Sequence, residues 1–196
     1  MKNLIVSVFL ALSLPLLATA AEIKIVALGA SQTNGKGVSR SDAYPAQLES
    51  ILKAQGYSVS VANEGIDGDT TRGILSRLNA AVPDGTKIVL VQPGTNDKNS
   101  TKKRAALSPD ETRDNVEQML ARLKERNIRT ILLGYPGKEG QEIAQKHSAI
   151  WYGQPTKDLS PDMIQADGQH FTEEGYAVLA KSLSLLIKDA LDKLSK

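Results

Sequence analysis

Short apolar runs alternate with amphipathic stretches along the chain from residue 21 onward. The apolar runs predict buried strands at 23–28, 58–62, 87–92, 129–134 and 149–152. Apolar residues at helical spacing predict helices over 44–54, 71–82, 139–147 and 173–194, with a further helix beginning after Ser108. The pattern therefore predicts strands and helices that alternate along the chain.

Two of these helices carry clear signals for where they begin. Ser108, Pro109 and Glu111 place a serine at the N-cap, a proline at the first helical position and a glutamate at the third. Thr172 stands where it can cap the last helix. These signals fix the positions of the loops that precede both helices.

Strands that alternate with helices at this spacing indicate βαβ units, which pack as a parallel sheet covered on both faces. No linker, internal repeat or low-complexity tract interrupts the pattern over residues 21–196. We therefore expect a single α/β domain there, a three-layer α/β/α flavodoxin-like fold with a parallel sheet of about five strands. If the first strand is central, the residues that follow the first three strands converge at the carboxyl edge of the sheet.

The first 20 residues have the pattern of a signal peptide. Lys2 precedes an apolar run over 4–17, and Ala18, Thr19 and Ala20 form an A-x-A cleavage site. The run is too short for a comfortable membrane span. A buried core helix is the alternative interpretation, but Met1 and Lys2 directly before the run favour a signal peptide. We expect cleavage after Ala20 and a periplasmic or secreted protein without a stable membrane anchor.

Composition excludes several classes of function. The formal net charge is +2 and no long basic run with interleaved aromatic residues occurs, so nucleic-acid binding has little support. The absence of cysteine excludes disulfides, thiolate metal sites and a cysteine nucleophile. No cluster of histidines suggests a metal, and we expect no cofactor.

Three residues form a candidate catalytic triad. Ser31 directly follows the first strand in a glycine-rich turn, although a serine there is often only a cap or turn residue. His170 precedes the last helix, and Asp167 lies three residues before it, close enough to orient the imidazole. Asp167 as a helix cap is the alternative, but Thr172 is better placed for that. The other histidine, His147, lies near a helix end where a solvated side chain is expected.

An acyl-transfer site also needs donors for the oxyanion that forms in the reaction. The backbone N–H of Ser31 is one candidate. Gly65 offers a backbone N–H that no side chain shields, and Asn96 offers a side-chain amide. Glycine and asparagine are ordinary turn formers, so it is their position after adjacent strands that supports this role.

Four segments together resemble the sequence blocks of the SGNH, or GDSL-type, hydrolase family. They are residues 25–35 around Ser31, Asn63-Glu64-Gly65 with Gly68-Asp69-Thr70, Gly94-Thr95-Asn96-Asp97, and Asp167-Gly168-Gln169-His170, in the family's order. The resemblance implies a metal-free Ser-His-Asp esterase with an oxyanion hole formed by Ser31, Gly65 and Asn96. The family usually has aspartate where this chain has Ala30 and leucine where it has Gln32.

The expected function is hydrolysis of carboxylic esters, or of thioesters, of small acyl groups. A carbohydrate O-acetylesterase of the same family is an alternative. A catalytically inert flavodoxin-like binding protein is a further alternative from a different class, although such a protein would not need a complete triad and oxyanion set.

Overall fold

The computed structural model describes residues 21–99 and 105–194. It contains a five-stranded parallel sheet in the order β2-β1-β3-β4-β5. The strands are β1 (Ile23–Gly29), β2 (Val59–Gly65), β3 (Thr86–Gln92), β4 (Arg129–Leu133) and β5 (Ile150–Tyr152). The predicted parallel α/β sheet is thus confirmed, and β1 lies between β2 and β3 as expected.

Six α-helices occur among the described residues. They are α1 (Ser31–Asn34), α2 (Tyr44–Ala54), α3 (Thr71–Ala81), α4 (Pro109–Glu125), α5 (Gly137–Lys146) and α6 (Glu173–Leu194). The expected starts are confirmed: Ser108 and Glu111 form a capping box on α4, and the Thr172 hydroxyl accepts from the Gly175 N–H at 3.3 Å.

Alternating side chains of the strands form one core on each face of the sheet. On one face, Ile25 and Ala27 of β1 pack with α2 and α6. On the other face, Val26 and Leu28 pack with α3, α4 and α5. The chain therefore folds into three layers, and this arrangement leaves the carboxyl ends of the strands open at one edge.

β2 is longer at its end than the sequence pattern predicts. Residues 63–65 continue the strand, with Asn63 beside Ala27 and Gly65 beside Gly29 in parallel register. The apolar pattern ends at residue 62 because Asn63 and Glu64 are polar, yet pairing with β1 extends the strand. Gly65 is therefore a strand residue and not part of the loop that follows.

The predicted signal peptide, residues 1–20, lies outside the described residues. Within residues 21–99 and 105–194, no helix is both long enough and apolar enough to span a membrane.

Candidate active site

The turn after β1 presents Ser31 at the carboxyl edge of the sheet. Ser31 is the first residue of α1, which packs directly against the ends of β1 and β2. A side chain at Gly29 would lie 2.2 Å from the Thr33 hydroxyl, and one at Gly65 would lie 2.1 Å from the Asn34 backbone nitrogen. Both glycines are required because α1 lies so close to the ends of β1 and β2.

The loop before α6 brings the other two predicted triad members to Ser31. Asp167 Oδ1 accepts the backbone N–H groups of Gln169 and His170, at 2.9 and 3.0 Å. Its other oxygen, Oδ2, lies 2.6 Å from His170 Nδ1. His170 Nε2 lies 2.7 Å from Ser31 Oγ. The structure thus joins the three side chains in one continuous chain of contacts.

Hydrogen bonding fixes the protonation of this chain of contacts. The backbone N–H of His170, its ring and the Gln169 N–H together hold the pKa of Asp167 well below its usual range. An ionised Asp167 only accepts hydrogen bonds, so Nδ1 of His170 carries the ring proton. In the neutral imidazole, Nε2 is then the acceptor, and the Ser31 hydroxyl donates to it. His170 is 6% exposed, whereas the Asp167 side chain is 43% exposed.

A cleft of about 490 Å³ opens over Ser31 and His170. Most of the side chains around it are polar, including Gln32, Gln92, Thr95, Asn99, Thr156 and Gln169. Apolar lining comes from Ala30, Pro155, Ile164 and Phe171, and Lys36 adds a positive charge. The cleft therefore combines polar and apolar surface and gives a small molecule access to the Ser31 hydroxyl.

Asn96 lines this cleft, and a backbone carbonyl of the Asp69 loop orients its side-chain amide. Nδ2 donates to the backbone carbonyl of Asp69 at 2.9 Å. The neighbouring Asp97 is 4% exposed and accepts from Thr71 and Thr112, with the Thr71 N–H at 2.8 Å and the Thr112 hydroxyl at 2.8 Å. This buried carboxylate ties the Asn96 turn to α3 and α4.

The prediction that Gly65 supplies an oxyanion donor does not fit the structure. Its N–H donates to Asn63 Oδ1 at 3.0 Å, and the residue does not line the cleft. Gly68 does line the cleft; it has a φ of +75°, and no atom lies within 4 Å of the position a Cβ would take. Gly65 and Gly68 belong to the same sequence block, so the sequence does not show which of them lies at the cleft. The structure separates them because β2 extends to Gly65 and leaves Gly68 in the loop.

Arg77 of α3 connects the end of β1 with the Asp69 loop. Nε donates to Asp69 Oδ2 at 2.9 Å, and Nη2 donates to the Gly29 carbonyl at 2.9 Å. Nη1 is buried and has no hydrogen-bond partner among the described residues.

Several site residues were not found by sequence reasoning. Gln92 is 2% exposed at the end of β3, and Pro155 and Thr156 come from a loop without a sequence signal. The only sign of Gln92 in the sequence is that a polar residue ends the apolar run 87–92. The expectation of a solvated His147 is wrong: its side chain is 11% exposed, and burial lowers its pKa. Among the described residues, no group of three or more His, Cys, Asp or Glu could hold a metal ion.

A serine, a histidine and an aspartate lie in hydrogen-bond contact at the carboxyl edge of a parallel α/β sheet. This combination is typical of α/β hydrolytic enzymes that have a serine at the site. Residues 27–178 match the model of the GDSL-like Lipase/Acylhydrolase family. The chain belongs to this family of ester-hydrolysing enzymes, as its sequence blocks indicate.

Relatives and solved structures agree with that assignment. The chain is 29% identical to Esterase TesA of Pseudomonas aeruginosa over 187 residues, which cover 87% of this chain and 90% of that protein. It is 29% identical to Thioesterase 1/protease 1/lysophospholipase L1 of Escherichia coli K12, covering 88% and 86% of the two chains. A lipase/acylhydrolase structure from Enterococcus faecalis superposes with a TM-score of 0.72 at 27% identity, covering 86% and 97%.

Proposed function

We propose that this protein hydrolyses carboxylic esters of small acyl groups, and thioesters by the same chemistry, through an acyl-enzyme on Ser31. The observation that carries the proposal is the unbroken chain of contacts from Asp167 through His170 to Ser31, at 2.6 and 2.7 Å. Two of the relatives are named as an esterase and a thioesterase, which agrees with both substrate types.

In the first half-reaction, Ser31 Oγ attacks the carbonyl carbon while its proton passes to His170 Nε2. Asp167 stabilises the imidazolium that forms and keeps the Nδ1 proton directed at itself. The tetrahedral intermediate collapses by breaking the bond to the alcohol oxygen, which takes the proton from Nε2. An acyl-Ser31 ester and a free alcohol, or a thiol from a thioester, result.

Water completes the cycle in the second half-reaction. His170 Nε2 removes a proton from the water molecule as its oxygen attacks the acyl carbon. Collapse of the second intermediate returns the proton from Nε2 to Ser31 Oγ and releases the carboxylic acid. The enzyme is regenerated without a cofactor, because each proton that His170 accepts is donated again within the cycle.

The proposed oxyanion hole consists of the Ser31 N–H, the Gly68 N–H and Asn96 Nδ2. Gly68 and Asn96 line the same cleft as Ser31, and the Asp69 carbonyl orients the Asn96 amide. Preorganised donors of this kind stabilise the negative oxygen of both intermediates. An inert binding protein would have no use for donors and a triad arranged around one cleft.

A fluorophosphonate probe tests the nucleophile directly, since it reacts with an activated serine. The parent protein should be labelled, and the Ser31→Ala variant should be neither labelled nor active on p-nitrophenyl acetate. Ser76→Ala is the matched control, because Ser76 is an exposed serine on α3 whose hydroxyl donates to the Gly73 carbonyl. Equal labelling of the parent and the Ser31→Ala variant would exclude Ser31 as the nucleophile.

A carbohydrate O-acetyl ester is the second candidate substrate, favoured by the polar side chains that lie among the apolar ones in the cleft. Long acyl chains need continuous apolar walls, whereas Gln32, Gln92 and Thr156 place polar atoms around the serine. The comparison of p-nitrophenyl acetate with p-nitrophenyl octanoate tests the preference for acetyl over long acyl groups. A higher kcat/KM on the octanoate would exclude the preference for acetyl esters.

We further propose that residues 1–20 direct export and that residues 21–196 form the mature enzyme. The support is the A-x-A site at Ala18–Ala20 after an apolar run. Expression of the full chain in a bacterium, followed by mass measurement of the protein in the periplasmic and medium fractions, tests it. A protein retained in the cytosol with residues 1–20 intact would contradict the proposal.

A further inference from the structure

A row of amide and hydroxyl groups connects the nucleophile helix with the loop that carries His170. The Thr33 hydroxyl donates to Gln92 Oε1 at 2.6 Å. Gln92 Nε2 donates to Gln32 Oε1 at 2.6 Å, and Gln32 Nε2 donates to the Gln169 carbonyl at 2.7 Å. Each donor therefore meets an acceptor, and the orientation of the Gln32 amide is fixed at both ends.

The loop around His170 is held through three consecutive backbone carbonyls. Gln32 donates to that of Gln169, while the backbone N–H of Gln165 donates to that of His170 at 2.8 Å. The side chain of Gln165 donates to the Phe171 carbonyl at 2.5 Å and to the Lys36 carbonyl at 2.9 Å. Gln32 and Gln165 therefore attach the loop to both sides of the nucleophile segment.

Gln32 is unusual at this place, because the resembling family commonly has leucine here. A leucine could pack in the cleft but could not hold the Gln169 carbonyl or satisfy Gln92 Nε2. Gln32 therefore places a partly buried amide with two hydrogen bonds beside Ser31, where a leucine would place apolar surface. Directional contacts restrict the position of the loop more narrowly than apolar packing does.

We propose that Gln32 is a positioning residue of the proposed ester hydrolysis, holding the His170 imidazole at hydrogen-bond distance from Ser31 through the Gln169 carbonyl. The inference rests on the proposed function. It does not require Gln32 to touch the substrate. Its physical basis is that a shift of about 1 Å between nucleophile and base can cost on the order of 100-fold in rate.

The test compares Gln32→Leu and Gln32→Glu with the matched control Gln47→Leu. Gln47 is also a partly buried glutamine whose amide donates to backbone carbonyls, those of Asp42 and Glu173, but it does not line the cleft. Gln32→Glu keeps an acceptor for Gln92 Nε2 and loses the donor to Gln169. Measurements are kcat and KM on p-nitrophenyl acetate, the rate of fluorophosphonate labelling and the melting temperature.

We expect both Gln32 variants to lose about 10- to 100-fold in kcat and in labelling rate, with KM nearly unchanged. Gln47→Leu should lower the melting temperature by a similar amount without changing kcat. An unchanged kcat in both Gln32 variants would overturn the proposal. A change in KM alone would also overturn it, since Gln32 would then shape the pocket only.

A readout that needs no turnover separates this inference from the proposed function. The chain has two histidines, so the imidazole resonances of His170 can be assigned by replacing His147. In nitrogen-labelled protein, the Nδ1 proton held by Asp167 should give a sharp low-field signal in the parent and a broadened or shifted one in Gln32→Leu. An identical signal in both proteins overturns the positioning role, whether or not any ester is hydrolysed.

Discussion

Replacing Asn96 with alanine separates transition-state binding from turn structure. In the folded protein, Nδ2 donates to the Asp69 carbonyl at 2.9 Å, and the amide lies at the cleft beside Ser31. The interpretation as a turn residue says that this contact only shapes the loop. The proposed function says that the amide also stabilises the oxyanion, and that this stabilisation appears only as the carbonyl oxygen becomes negative.

The two interpretations predict effects of different size on different quantities. Loss of the hydrogen bond to Asp69 should lower the free energy of unfolding by about 0.5–1.5 kcal/mol, which is typical of one neutral hydrogen bond. Loss of an oxyanion donor should lower kcat by roughly 10²–10³, or about 2.7–4 kcal/mol of barrier. Since the donor acts in the transition state, kcat and kcat/KM should fall together while KM changes little.

Steady-state kinetics with p-nitrophenyl acetate and a urea melt measure both quantities on one preparation. Thr95→Ala is the matched control, because Thr95 precedes Asn96 in the same turn and also lines the cleft. That variant should keep kcat within about threefold, or roughly 0.7 kcal/mol of barrier. An Asn96→Ala protein with normal kcat and a lowered unfolding free energy would refute the oxyanion role.

Three further changes test the groups behind the site. Asp97→Asn should cost about 1–3 kcal/mol of unfolding free energy, because a buried acceptor for several donors becomes partly a donor; an unchanged urea midpoint would contradict this. Ala30→Asp should keep kcat on a small ester within about tenfold, or ~1.4 kcal/mol, because Ala30 lines the cleft without being a member of the proposed triad; a gain or loss of several hundredfold would contradict this. Asp167→Asn should lower kcat by up to about 10⁴. Folding lowers the pKa of Asp167, so the ionised carboxylate stabilises the folded protein. This stabilisation is present above about pH 4 and is lost as the pH falls toward the folded-state pKa. The difference in melting temperature between the parent and Asp167→Asn should therefore shrink in acid, and a difference that grows in acid would contradict this sign.

The sequence pattern predicts the strands and the principal helices well because both faces of a parallel sheet are buried. Each strand is then a nearly continuous apolar run, and each helix has one apolar face. The prediction fails at the end of β2, where Asn63 and Glu64 are polar but still pair with β1. Polar residues at strand ends carry no periodic signal, so the strand end could be found only from the register.

The contacts among Ser31, His170 and Asp167 were predictable because each of these residues is a reactive type at a defined boundary between elements. Ser31 follows a strand, and Asp167 and His170 precede a capped helix. Gly65 and Gly68 could not be distinguished in this way, since either glycine could follow a strand. Gln32 and Gln92 carry no signal of chemistry in the sequence, and their part in the site depends on contacts between residues 60 positions apart.

The two sides of Ser31 are held by different kinds of group. On the side of the proposed oxyanion hole, charged groups fix the backbone: Asp97 anchors the Asn96 turn, and Arg77 ties the Asp69 loop to β1. On the side of His170, the charged Asp167 accepts backbone N–H groups within its own loop, and neutral amides such as that of Gln32 attach this loop to α1. Hydrogen bonds to charged groups contribute about 1.5–3 kcal/mol each, against about 0.5–1.5 kcal/mol for neutral ones. The hydrogen bonds that attach the His170 loop are therefore weaker than those that hold the Asn96 turn. On heating, we expect the His170 loop to loosen before the Asn96 turn, so that activity declines before the sheet unfolds.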